Sequence, residues 1–146
     1  MNEAKAAEEN LRHFSWHDEE ASISISIPEV IDPAYGMYVW PCAPVLAQYV
    51  WHKREWIQGK KVLEIGAGTS LPGVMAAKCG ALVTLSDDCQ QPRSLENCRQ
   101  SCRANGLAAC EVIGLTWGRV SPAVVTLGKV DVILASDCFY DTKDEP

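Results

Sequence analysis

The chain has 146 residues, of which 47% are hydrophobic and 22% are charged, a composition typical of one globular domain. Its formal net charge of −6 makes the phosphate backbone of nucleic acids a poor partner, so no direct nucleic-acid binding is expected. No segment approaches the roughly 20 apolar residues of a membrane-spanning helix, so no membrane partner is expected either.

Cysteine is the residue type that bears on metals and on the cellular compartment. The seven cysteines form neither a Cys-x-x-Cys pair nor a Cys and His zinc pattern, so no metal site is predicted. Cys98 and Cys102 are four residues apart and are interpreted as packing residues on one helix face. The N-terminal residues lack the apolar run of a secretory signal, so reduced thiols in the cytosol or nucleus are expected.

The first 60 residues contain a polar segment, a strand and a helix. Residues 1–20 are charged and mixed, and they are interpreted as a flexible arm or frayed helix that precedes a domain at residues 21–146. Residues 22–27 alternate serine and isoleucine, the pattern of a strand buried on one side. A helix is predicted from Pro41 and Pro44 to Gly59, since apolar residues recur at helical spacing between them.

The remainder of the chain alternates strands with helices. Strands are predicted at residues 61–65, 82–86, 111–115 and 130–135. Helices are predicted from Pro72 to Gly80 and from Pro92 to Asn105. Strands that are separated by helices indicate right-handed crossovers and a parallel sheet, so the predicted fold class is α/β with helices on both faces.

A glycine-rich turn, Glu-Ile-Gly-Ala-Gly at residues 64–68, joins the first of these strands to its helix. In this arrangement the backbone N–H groups at a helix start face a ligand. A dinucleotide fingerprint would need glycine where Leu71 stands. The carboxylate of Glu64 would repel a pyrophosphate but suits an amino group. The turn therefore indicates an amino-acid-like nucleoside rather than a dinucleotide.

Polar and aromatic residues follow the other predicted strands. Asp87 lies 23 residues after Glu64, where a carboxylate binds the hydroxyls of a ribose, although it could instead cap the next helix. Trp117 could lie beside an adenine or belong to the core. Asp137 and Tyr140 could accept hydrogen bonds from a substrate nitrogen, or serve as a cap and a packing residue.

Five motifs together resemble the family-16, lysine-methyltransferase-like group of class I S-adenosylmethionine-dependent methyltransferases. They are Tyr-Val-Trp-Pro at 38–41, Glu-Ile-Gly-Ala-Gly at 64–68, Leu-Ser-Asp at 85–87, Leu-Thr-Trp-Gly at 115–118 and Asp-Cys-Phe-Tyr at 137–140. Residues 37–43 and 70–73 most resemble one member of this group. The resemblance implies a Rossmann-like parallel sheet of seven strands, of which strands one to four are present. It therefore implies a C-terminally truncated domain, preceded by an N-terminal strand or hairpin and a helix.

The resemblance also implies a cofactor, S-adenosylmethionine, and residues that bind it: Trp40, Gly66, Ala67, Gly68, Asp87, Trp117 and Ala135. Glu64 would lie near the methionine amino group of this cofactor. Asp137 and Tyr140 match the Asp-x-x-Tyr signature of many members and would be catalytic.

The function that the resemblance implies is methyl transfer to a side-chain nitrogen of arginine or lysine in a protein. A histone is one candidate substrate. The resemblance also implies a nuclear and cytoplasmic location, and a monomer is expected. The alternative is a truncated, non-catalytic isoform that acts as a protein-interaction module. Binding of S-adenosylmethionine would distinguish the two.

Overall fold

A computed structural model of the chain describes residues 8–31 and 37–139. Its strands are β1 Glu8–His17, β2 Ser22–Ile31, β3 Lys61–Ile65, β4 Leu82–Asp87, β5 Glu111–Gly114 and β6 Val132–Ala135. Its helices are α1 Cys42–His52, α2 Arg54–Ile57, α3 Leu71–Lys78, α4 Pro92–Ala104 and α5 Pro122–Thr126. Within the described ranges, no helix has both the length and the apolar character that crossing a membrane requires.

The central feature is a parallel sheet of four strands in the order β5-β4-β3-β6. This confirms the predicted α/β class and the four predicted parallel strands. The chain runs outward from β3 through β4 to β5 and then returns to the other side of β3 as β6. The order of the strands therefore reverses beside β3, and ligands of open α/β sheets bind at such a point, outside the carboxyl ends of the strands.

The predicted boundaries differ from the structure at several ends. The predicted single helix up to Gly59 is two helices, because the backbone at Lys53 leaves the helical conformation with φ −98° and ψ 16°. The last strand begins at Val132 rather than at residue 130. Here the Asp131 carboxylate accepts a hydrogen bond from Lys61 N at 2.9 Å. This backbone donor of β3 therefore bonds to a side chain rather than to a backbone carbonyl group of the neighbouring strand.

The N-terminal segment differs most from the sequence prediction. Residues 8–17 form β1, which pairs antiparallel with β2, where a flexible arm or frayed helix was expected. The pairing places Phe14 opposite Ile25 and Trp16 opposite Ile23, so both aromatic side chains of β1 meet isoleucines of β2. The local sequence is polar, and its strand conformation depends on this partner.

Helix α3 lies at the centre of the core. Its side chains Leu71, Val74 and Met75 are fully buried, and the helix packs against α1, β2, β3 and β4. Because α3 begins directly after the glycine turn, this packing holds one end of the turn in place.

Candidate functional site

A cavity of about 560 Å³ opens at the carboxyl ends of the parallel strands. This volume lies within the range of small-molecule sites. Its lining comes from the segment before α1, the starts of α1 and α4, the glycine turn and the ends of β4, β5 and β6. The lining residues are Met37, Tyr38, Trp40, Ala43, Gly66, Ala67, Gly68, Thr69, Asp87, Asp88, Gln91, Ser94, Leu115, Thr116, Trp117, Ser136, Asp137 and Cys138. The site therefore lies where the strand order reverses.

The charge of this lining is of one sign. It includes the carboxylates of Asp87, Asp88 and Asp137, and none of the described lining residues is lysine, arginine or histidine. A hydrogen bond from the Thr116 hydroxyl, at 2.7 Å, lowers the pKa of Asp88 below its ordinary value, so this carboxylate is ionised at neutral pH. The cavity therefore favours a cationic ligand and disfavours a phosphate.

The glycine turn has a backbone that requires glycine. Gly66 and Gly68 have φ values of +56° and +50°, the left-handed region that side chains other than glycine rarely adopt. A Cβ at Gly66 would also lie 2.9 Å from the Cβ of Cys138. Glycine at position 66 thus lets the segment after β6 pack closely against the turn.

Asp87, the predicted ribose ligand, lines the cavity and also holds the turn. Its Oδ2 accepts a hydrogen bond from Gly68 N at 2.8 Å, and its Oδ1 accepts one from Asp88 N at 2.8 Å. A carboxylate has about four acceptor positions, so two remain for the hydroxyls of a ligand.

Glu64 lies outside the cavity lining. Its side chain is 1% exposed, and its Oε2 accepts a hydrogen bond from Gly73 N, in the first turn of α3, at 2.8 Å. Burial raises the pKa of Glu64 to about 8, so the carboxyl group is largely protonated at neutral pH. Gly73 leaves the necessary space, since a Cβ there would lie 2.3 Å from Glu64 Oε2. The predicted contact of Glu64 with an amino group stays a prediction.

Aromatic side chains form two pairs beside the cavity. The rings of Tyr38 and Trp40 are 4.9 Å apart, and those of Trp117 and Phe139 are 5.3 Å apart. Trp40 and Trp117 are 55% and 48% exposed, so Trp117 is not the core tryptophan of the alternative interpretation. Flat apolar surfaces are thus available to a ring or to a planar cation.

Asp137 joins the end of β6 to the start of α1. Its backbone is left-handed with φ +50°, and its Oδ2 accepts a hydrogen bond from Cys42 N at 2.8 Å. A hydrogen bond to this carboxylate raises the pKa of the Cys42 thiol above its ordinary value. Asp137 therefore caps α1 as well as lining the cavity. Ala135, which ends β6, is not part of the lining, and Tyr140 lies outside the described residues.

Several lining residues were not predicted from the sequence. Thr116 and Cys138 are next to predicted site residues, so their position in the motifs is a signal that could have found them. Gln91 and Ser94 flank the predicted start of α4, and no local pattern distinguishes them from ordinary residues of a helix start. They reach the site because α4 packs beside the turn.

Solved structures share this fold. The chain superimposes on the Thermus thermophilus 16S rRNA N2 G1207 methyltransferase, solved with AdoMet and guanosine, with a TM-score of 0.58 and 23% identity over 89% of this chain and 33% of the other. It superimposes on the Pyrococcus abyssi tRNA (uracil-54, C5)-methyltransferase with a TM-score of 0.51 and 21% identity, over 73% of this chain and 25% of the other. The likeness to these two methyltransferases is therefore one of fold.

A family model described as "Lysine methyltransferase", methyltransferase family 16, matches residues 19–146. The chain belongs to this family, which confirms the resemblance that the five motifs predict.

Relatives of known name agree with the family assignment. The chain is 56% identical to the histone-arginine methyltransferase METTL23 of Xenopus laevis over 86% of this chain and 54% of that protein. It is 53% identical to the METTL23 of Mus musculus over 85% of this chain and 49% of that protein. It is 36% identical to the protein N-lysine methyltransferase METTL21A of Danio rerio over 70% and 47%. The predicted similarity to methyltransferase-like protein 23 is thus confirmed, and the chain spans about half the length of these relatives.

Proposed function

We propose that the chain transfers a methyl group from S-adenosylmethionine to a side-chain nitrogen of arginine or lysine in a protein. The observation that carries this proposal is the cavity at the strand ends, which has a glycine turn on one side, three carboxylates and no described cationic side chain. This lining suits a sulfonium nucleoside with an amino group better than it suits a dinucleotide with its pyrophosphate.

Each part of the cavity matches a part of the cofactor. Gly66, Ala67 and Gly68 line the cavity where the methionine part of the cofactor would lie, and Asp87 has acceptor positions left for the ribose hydroxyls. Trp117 and Trp40 supply flat surfaces for the adenine and for the mouth of the site. When bound, S-adenosylmethionine would supply the electrophilic methyl group, and the protein would supply alignment and charge.

Asp137 is the residue proposed to act on the substrate nitrogen. Arginine and lysine are cationic in water, so the nitrogen would first release a proton to solvent. Its lone pair would then form the bond to the methyl carbon as the carbon–sulfur bond breaks and S-adenosylhomocysteine leaves. The Asp137 carboxylate would orient the nitrogen and stabilise the positive charge that develops on it, an effect worth about 3 kcal/mol. The hydrogen bond from Cys42 N fixes this carboxylate at the cavity. Tyr140 is proposed to hold a second hydrogen bond to the same nitrogen.

A histone is the substrate proposed for the first test. The net charge of −6 favours a basic protein partner, and relatives are named histone-arginine methyltransferases. A nuclear and cytoplasmic location, a monomeric state and no direct binding of nucleic acid are part of the same proposal.

Calorimetric titration of the protein with S-adenosylmethionine tests the cofactor, and Asp87→Ala is the variant that tests the site. We expect wild type to bind and Asp87→Ala to bind about 10- to 100-fold more weakly, because hydrogen bonds to a charged group are each worth about 1.5–3 kcal/mol. Glu55→Ala, an exposed carboxylate at the surface of α2, is the control and should leave the affinity unchanged.

Mass spectrometry of histones incubated with protein and cofactor then identifies the methylated residue. Absence of both heat and thermal shift for the wild-type protein would contradict the proposal and favour the interaction module.

A further inference from the structure

The middle of helix α4 contacts the end of the glycine turn through side chains that do not line the cavity. The carbonyl oxygen of Gly68 accepts hydrogen bonds from Asn97 Nδ2 at 3.3 Å and from Cys98 Sγ at 3.4 Å. The carbonyl oxygen of Thr69 accepts one from Ser101 Oγ at 2.9 Å. All three donor side chains are buried, and none of them lines the cavity, whereas Gly68 and Thr69 do.

The orientation of the Asn97 amide indicates that its bond to the turn matters. Its Oδ1 is buried and has no hydrogen-bond partner among the residues that the structure describes. A buried acceptor without a partner costs free energy of folding, so such a group in a native structure calls for an explanation. Here the amide is oriented so that its Nδ2 donates to Gly68 O, and this orientation leaves Oδ1 without a partner among the described residues.

The same face of α4 is attached to the rest of the protein at its other end. Asn97 and Ser101 are four residues apart and so lie on one helix face, and Asn105, four residues further on, is the residue at which the helix ends. Asn105 donates to Ser26 O at 2.7 Å and accepts from Ser26 N at 2.9 Å, which ties α4 to strand β2. The helix therefore links the turn to the N-terminal hairpin, and Asn105 takes part without touching the turn.

We propose that Asn97, Cys98 and Ser101 are positioning residues for the glycine turn and for Thr69, which follows it. Gly68 is held at both of its polar backbone atoms, with its N–H on Asp87 and its C=O on α4. Glycine populates left-handed and right-handed backbone regions about equally, so these bonds select the conformation that lines the cavity. The inference rests on the proposed function, because it gives these residues a role in binding S-adenosylmethionine.

The pair Asn97→Ala and Asn105→Ala tests this role, because the same substitution is made once where α4 contacts the turn and once at the end of α4, where Asn105 bonds to strand β2. We expect Asn97→Ala to weaken the affinity for S-adenosylmethionine by about tenfold and to raise the KM for it with little change in kcat. Asn105→Ala should lower the melting temperature and leave this affinity within about twofold of wild type. Unchanged affinity in Asn97→Ala, or an equal loss in both variants, overturns the proposal.

Substitutions at Ser101 provide a second test if Asn97→Ala does not fold. Ser101→Ala removes the donor to Thr69 O and should also weaken cofactor binding. Ser101→Cys keeps a weak donor of similar size and should restore part of the affinity. Equal affinity for both variants would contradict a role for the hydrogen bond.

Amide hydrogen exchange separates this inference from the proposed function, because it needs no cofactor. In Asn97→Ala we expect faster exchange of the Gly68 and Ser70 amides than in wild type, with no such change in Asn105→Ala. If wild type fails to bind S-adenosylmethionine, the proposed function fails, and exchange still decides whether α4 orders the turn. Unaltered exchange at both amides would overturn the inference.

Discussion

Replacement of Asp137 by alanine is expected to lower the rate of methyl transfer by about 100-fold or more, the effect of removing one preorganised electrostatic group from a site of this kind. The affinity for S-adenosylmethionine should change by less than threefold, because Asp137 is proposed to act on the substrate nitrogen rather than on the cofactor. Single-turnover methylation of a histone substrate, together with calorimetric titration of the cofactor, measures the two quantities separately.

The carboxylate of Asp137 also caps α1 through Cys42 N, so a structural effect needs its own control. Asp131→Ala is a matched variant, because the Asp131 carboxylate likewise accepts a backbone N–H, that of Lys61, and does not line the cavity. We expect Asp131→Ala to retain wild-type turnover. Asp137→Asn keeps an acceptor for Cys42 N but loses the charge, and it should be nearly as slow as the alanine variant. Normal turnover in Asp137→Asn would remove the charge from the mechanism.

Replacement of Glu64 by glutamine is expected to stabilise the protein at pH 8 and to have little effect at pH 5. Burial raises the pKa of Glu64 in the folded protein to about 8, whereas the unfolded chain has the ordinary value of 4.5. Glutamine is uncharged at every pH, occupies a similar volume and can accept the same hydrogen bond from Gly73 N.

The direction in which the free energy of unfolding changes with pH follows from proton binding by Glu64. Between pH 4.5 and about 8 the folded protein holds a proton on Glu64 that the unfolded chain has released. The wild-type free energy of unfolding therefore falls as the pH rises through this window, by up to roughly 1.4 kcal/mol per pH unit, and levels off above it. Urea unfolding of both proteins at pH 5, 6, 7 and 8 measures the difference.

Glu96→Gln is the control for this pH series. Glu96 is exposed, and its hydrogen bond from Arg103 lowers the pKa of the carboxyl group. Its folded and unfolded forms are both ionised above pH 5, so Glu96→Gln should differ from wild type by the same amount at each pH. If the difference in free energy of unfolding between Glu64→Gln and wild type were also independent of pH, it would contradict a protonated Glu64 in the folded protein.

The same variant distinguishes two roles for Glu64. If Glu64 binds the amino group of the cofactor, as the resemblance implies, Glu64→Gln should weaken the affinity for S-adenosylmethionine. If its role is instead to accept the hydrogen bond from Gly73 N in the first turn of α3, the affinity should stay close to that of wild type. Titration at pH 7 measures this directly.

Much of the fold could be predicted because its signals are local. The strand Lys61–Ile65 is a short apolar run bounded by polar and glycine residues, and its predicted limits agree with the structure. The start of α4 at Pro92 was predicted because proline suits the first position of a helix. The residues of β1 were interpreted as an arm or frayed helix, because their polar sequence becomes a strand only by pairing with β2; the family resemblance, not the local pattern, implied an N-terminal strand or hairpin.

The site residues divide in the same way. Gly66, Gly68, Asp87 and Trp117 were predicted from their place after apolar strands, and the structure brings all four to one cavity. The surroundings of Glu64 could not be predicted, because the protonation of a carboxyl group depends on what packs around it.

The sequence by itself determined the family, the alternation of strands and helices from β3 to α4 and the glycine turn, since each is carried by neighbouring residues. Only the tertiary structure decided that Glu64 is buried beneath α3, that Asp137 bonds to α1 and that α4 contacts the turn. These contacts join residues from 9 to 95 positions apart, and burial and hydrogen bonding at such distances exist only once the chain has packed.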